Sequence, residues 1–156
     1  WLEFRRVLFR SRNPQTSCGG VWNSLKFYKE QIEDLIEFGK REFSLDALQS
    51  DGSSLRQHAD AIRSRTGSIP EEFESLPLPP IFSHVWSWFI ELSRTRSSSG
   101  FGANPLNYNE IFAWSQLTGV VPSNIEVTAI MALDLVFMSV QAEEIRKRSQ
   151  KNGRSS

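Results

Sequence analysis

"PSNIEVTAIMALDLVFMSVQAEEIRKR", residues 122–148, decides the fold class. Pro122 and Ser123 open it, and Glu126 stands three residues past Ser123. That is the spacing of a capping box, in which a serine and a glutamate each satisfy a free amide of the first helical turn. Val127, Ile130, Met131, Phe137, Met138 and Ile145 then recur at helical intervals as one stripe, with Leu133, Leu135 and Val140 widening it. The pattern predicts a helix to residue 148. At roughly 1.5 Å per residue, such a helix is close to 40 Å long and spans a whole small domain. Asp134 interrupts the stripe between Ile130/Met131 and Phe137/Met138. A buried carboxylate must find hydrogen bonds or a cation, or take up a proton. Arg94, an indole N–H of Trp86, Trp88 or Trp114, and the Tyr108 hydroxyl are the candidate partners. With no second carboxylate paired to it, Asp134 reads as a structural polar tie rather than a catalytic acid.

Upstream, Asn107 and Glu110 repeat the capping spacing, Ile111, Phe112, Trp114 and Leu117 supply an apolar side, and Gly119 supplies a stop. The preceding RTRSSSGFGANP, residues 94–105, has the composition of an exposed, flexible connection, and long loops of this kind often carry function. Arg94, Arg96 and Phe101 are its candidate partner-binding residues. The two arginines are expected to stay solvated at the negative end of a helix. Phe101, flanked by glycines, either inserts into a partner at little backbone cost or packs back on its own domain.

The helix before that loop shows a narrow polar stripe of Ser83, His84, Ser87, Glu91 and Arg94. Phe82, Val85, Trp86, Trp88, Phe89, Ile90 and Leu92 fill the rest, too broad an apolar surface for one neighbour. Helical spacing makes Trp86, Phe89 and Trp114 core residues rather than a platform for stacked bases.

SIPEEFESLPLPP, residues 68–80, carries four prolines and is read as a stiff connector whose Phe73, Leu76 and Leu78 tuck against the domain. Before it, Asp51-Gly52 marks a turn, Ser53 or Ser54 caps a short helix with Leu55, Ala59 and Ile62 on one face, and Gly67 ends it. Asn23 and Ser24 are expected caps of an amphipathic helix, with Leu25, Tyr28, Ile32, Leu35 and Ile36 opposite Lys26, Lys29, Glu30, Glu33 and Glu37. Residues 1–12, WLEFRRVLFRSR, are read as a non-native or truncated start. The expected organisation is an N-terminal helical segment over 13–50, a helical domain over 51–148 and a disordered polar tail over 149–156. The fold class is all-α, a small bundle of four to five helices with a Pro-rich connector and a Gly/Ser-rich loop.

Eighteen basic and eighteen acidic residues cancel, so no global field recruits nucleic acid. Cys18 is the one cysteine and His58 and His84 the two histidines, which excludes an internal disulfide framework and argues against a zinc site. No nucleophile-elbow pattern surrounds a serine, and Gly100-Phe-Gly102 lacks the strand, third glycine and lysine of a phosphate loop. The expectation is therefore no catalytic residue, no cofactor and no metal. No apolar run of about 18–20 residues stands out, so neither a membrane span nor a membrane partner is expected. The basic run Arg146, Lys147, Arg148, Lys151 and Arg154 complements the negative end of the last helix. Its alternative, with Arg94 and Arg96, is phosphate contact by a small helical DNA-binding or packaging adaptor, which salt-sensitive DNA retention distinguishes.

With these elements placed, residues 51–144 resemble a family of tail assembly chaperones of long-tailed bacteriophages. The blocks that carry the resemblance are DGSSLRQHADAIRSRTG, HVWSWFIELSRTRSSSGFGANPLNYNEIFAWSQLTG and IEVTAIMALDLVF. The chain departs from the family at Asn124-Ile125, where a proline–tryptophan pair is frequent. The resemblance implies a non-enzymatic protein of the host cytoplasm that binds the tape measure protein, keeps it soluble and assists tail tube assembly. Its implied partners are the tape measure protein and other tail proteins, with nucleic acid not expected and self-association left open. Some family members are made as frameshifted extensions of an upstream chaperone.

Overall fold

The computed structural model describes residues 19–49, 52–99 and 102–152. The start, Cys18, Asp51, Phe101 and the last four residues lie outside the described residues, so the readings made for them are neither met nor overturned. Five helices follow in order: α1 (Gly19–Asp46), α2 (Leu55–Thr66), α3 (Ser83–Arg94), α4 (Tyr108–Thr118) and α5 (Asn124–Asn152). Two single 3-10 turns, Glu71–Phe73 and Pro80–Phe82, punctuate the connector. The fold is all-α, with only isolated bridges between Leu48 and Ser54 and between Ser98 and Ala103 among the described residues.

The helix ends follow local chemistry. The Ser54 hydroxyl accepts from the Gln57 amide while Gln57 returns the contact, and Gly67 closes α2 in the left-handed region at φ 80°. Asn107 and Glu110 make the same reciprocal cap on α4, ended by Gly119 at φ 73°. The Ser123 amide donates to Glu126 at 2.6 Å and the Glu126 amide to Ser123 Oγ at 3.3 Å, which starts α5. Asn23 and Ser24 are not caps, because α1 begins upstream at Gly19.

α5 is the axis of the core. Ala129, Ala132, Leu133, Val136 and Val140 form one fully buried face, packed on Ile32, Leu35 and Phe43 of α1 and on Val85, Phe89 and Leu92 of α3. This face is rotated from the stripe expected from the large side chains: Ile130 of that stripe is fully buried, but Val127, Met131, Phe137 and Met138 are half-buried and Ile145 is exposed. Alanines explain the rotation, since they admit the closest neighbours and so define the inward side. Gly39 plays the matching part on α1. A Cβ there would stand 2.7 Å from Leu133 Cδ2 and 3.5 Å from Trp86 Cζ3, so its absence lets α1 come down on α5. The core is continuous across residue 50, with α1 contributing to it as fully as α3.

α3 meets neighbours on two sides. Trp86 lies 4.9 Å from Phe38 and 5.4 Å from Phe43 of α1, and Trp88 lies 5.6 Å from Trp114 of α4. Ser83, His84, Ser87, Glu91 and Arg94 face solvent. The connector is pinned to α1 by Arg41, whose guanidinium donates to the carbonyls of Glu71, Glu72 and Glu74. Leu78 packs on the core, but Leu76 is exposed, contrary to expectation. Two more expectations are corrected. Phe112 and Leu117 of α4 are not inward but 66% and 89% exposed, because the helix rests on Ile111 and Trp114 alone. Asn124–Lys147 is long and apolar enough to cross a membrane by length and composition, although in this fold it is the core helix.

Candidate functional site

The Gly/Ser loop between α3 and α4 is organised by a buried ion pair. Arg96 stands two residues past α3, and its Nη1 lies 2.5 Å from Asp134 Oδ1 of α5, with the side chains 4% and 5% exposed. Nη1 also donates to the Asn104 carbonyl at 2.8 Å and Nη2 to Ser93 Oγ at 3.1 Å. The guanidinium carbon sits 4.7 Å over the Phe137 ring and 5.9 Å from that of Phe89, so aromatic faces supply part of what water would. On the other side, Asp134 Oδ2 accepts from the Leu106 amide at 3.0 Å.

One carboxylate therefore holds both feet of the loop, Arg96 at its start and Leu106 at its end. Within the loop, the Asn104 amide donates to the Ser97 carbonyl at 2.9 Å, Asn104 Nδ2 to Ser97 Oγ at 3.1 Å, and the Ser99 amide to the Gly102 carbonyl at 3.1 Å. Gly102, at φ 144°, takes a backbone conformation that suits glycine. The described part of the loop is thus a closed, hydrogen-bonded turn rather than a free arm.

This corrects the reading of Arg96 as a solvated cation. The carboxylate on α5 needs a cation, and Arg96 reaches it where the chain turns back along that helix; Arg94, on the polar stripe, stays exposed. Arg96 is too deeply buried to meet a partner. Asp134 draws on neither an indole nor Tyr108, which is exposed. Sequence did hold a signal for the pair: a lone acid on an apolar helix and two arginines in one loop. Phe89 is fully buried, while Trp86 and Trp114 are half-buried. The Trp114 Nε1 is enclosed without a hydrogen-bond partner among the described residues.

A second polar contact closes the N-terminal ends of α3 and α5. His84 Nε2 lies 2.7 Å from Glu126 Oε1, and the imidazole packs edge-on against Trp88 at 4.7 Å. Burial pushes the Glu126 carboxyl up, but hydrogen bonds from the Ser123 amide and hydroxyl and the neighbouring His84 outweigh it and hold the group below the ordinary carboxylate value. The Arg96–Asp134 pair is closed to solvent, whereas the His84–Glu126 contact lies at the surface.

The fold also leaves large apolar side chains outward. α4 exposes Tyr108, Phe112 and Leu117, with Val121 just beyond it, and α5 exposes Leu135 and Ile145. Phe101, expected at this site, lies outside the described residues. A family model described as phage tail assembly chaperone matches residues 62–139, half of the chain, from the second half of α2 through α4 to the middle of α5. No curated protein and no solved structure matches the chain.

Proposed function

This chain belongs to the phage tail assembly chaperone family, and on that premise we propose that it binds the tape measure protein in the host cytoplasm, holds it soluble and assists assembly of the tail tube around it. The binding is non-covalent and needs neither nucleotide nor metal. Beside membership, the observation that carries the reading is the pair of large apolar side chains left in solvent on α5, Leu135 and Ile145. A helical, apolar client is met by such surfaces, helix against helix, and not by a charged cleft. The rival nucleic-acid reading loses one of its two loop arginines, since Arg96 is spent on Asp134.

Co-expression with the tape measure protein tests the proposal. Soluble client should appear with this chain and pellet without it, and the co-purified complex should persist in high salt. Client solubility indifferent to the chain would overturn the reading. Retention on DNA that collapses as salt rises would favour the adaptor instead.

A further inference from the structure

The outward face of α5 carries a regular seam. Met131, Leu135, Met138, Ala142 and Ile145 succeed one another at intervals of four, three, four and three residues. That is the 3.5-residue repeat that a second helix reads by setting its own side chains into the spaces between these. The opposite face, through Leu133, Val136 and Val140, is fully used by the core. On the seam, Leu135 is 45% exposed, Ile145 49% exposed and Ala142 exposed, while the two methionines are half-buried at its edge. Met138 Sδ lies 4.0 Å from Arg96 Nη1, so the ion-paired loop walls one side. From Val127 to Ala142 the helix has a single charge, Asp134, and that charge is buried and paired. At the end of the seam the charges are mixed: Glu143 and Arg146 are both exposed, and Lys147 pairs with Glu144 at 2.6 Å.

We propose that this seam is where the chain receives its client, as one amphipathic helix laid along α5. The inference rests on the function proposed above and assigns it a surface. One observation chooses a foreign helix over a second copy of this chain. Both of the protein's methionines lie on the seam, and methionine is the side chain that re-forms around partners of differing shape, whereas a self-pairing seam is specified by branched residues of fixed shape.

Because the seam holds both methionines, their methyl signals report on it directly. The full chain, labelled with 13C-methyl methionine, is titrated with the co-expressed tape measure protein, beside Leu135→Glu, Ala142→Arg and, on the other outward face, Phe112→Glu. Both Met131 and Met138 signals should shift or broaden on complex formation, and Leu135→Glu and Ala142→Arg should each weaken binding by about tenfold or more while melting like the parent. Phe112→Glu should bind as the parent does. A complex that forms with both methionine signals unmoved, or that Phe112→Glu alone abolishes, overturns the seam and leaves the chaperone reading standing. Signals that shift when the chain is concentrated by itself, in step with a dimer in sedimentation, make the occupant a second copy and overturn the assignment to client. If no complex forms with the parent chain, the functional reading falls and the seam assignment with it.

Discussion

At the scale of single residues, Asp134 shows how a local oddity becomes a structural requirement. A carboxylate on the central helix of a bundle is costly by itself, and the fold meets the cost with Arg96 and the Leu106 amide. Removing one partner strands the other. Asp134→Leu or Arg96→Met alone should destabilise by about 3–5 kcal/mol in urea unfolding, whereas the double variant should recover much of that loss, because a buried pair replaced as a pair is often neutral. Asp134→Asn should fall between, since the amide oxygen can still accept from Leu106 but the cation is left without its counter-charge. Glu126, held by the Ser123 amide and hydroxyl and by His84, makes a pH prediction. Glu126 titrates in the folded chain below its ordinary value of 4.5, so it contributes stability at and above that pH and loses it as pH falls through the lower folded value. Unfolding curves of the parent and Glu126→Gln should therefore differ at neutral pH and converge once the pH has fallen through the lowered folded value. A constant gap down to the most acid point would mean that the contact contributes by shape and not by charge.

At the scale of elements, the helices divide by how much of each is used. α5 is held on one face by α1 and α3, and its contact with α1 depends on Gly39. A branched side chain at that point must displace Leu133, so Gly39→Val should cost about 1–3 kcal/mol in spite of leaving an amphipathic pattern intact. Phe89, fully buried at the meeting of α1, α3 and α5, should cost about 3–5 kcal/mol on truncation to alanine. Half-buried Trp86 should cost less, a difference that parallel urea melts resolve. α4 is the opposite case. Phe112→Ser should leave the melting curve within about 0.5 kcal/mol of the parent, because its ring touches solvent more than protein. The caps of α2, α4 and α5 were all legible from three-residue spacings, since a cap is settled by atoms one turn apart. The start of α1 was not legible, because Asn23 and Ser24 have cap-forming side chains but lie within a helix that begins earlier.

At the scale of the whole molecule, the family and the helical class are both legible in the order of the residues, and the site only in part. Residues 51–144 carried the resemblance, and the matched region, 62–139, falls inside that span. The sequence also marked Asp134 as needing a partner, and it narrowed the aromatic helix to one that needs neighbours on both sides. These conclusions rest on periodicity, capping and the energetics of burial, all of which act over a few residues and so leave a trace in the order of the chain. Which arginine answers Asp134, which face of α5 turns inward and whether Phe112 meets core or solvent were decided only in three dimensions. Each depends on how far apart two elements distant in sequence come to rest, and small residues such as Gly39, Ala129 and Ala132 set that distance while contributing little to an apolar pattern. The seam on α5 has the same origin: its spacing is written in the sequence, but its exposure exists because the bundle has filled the other side.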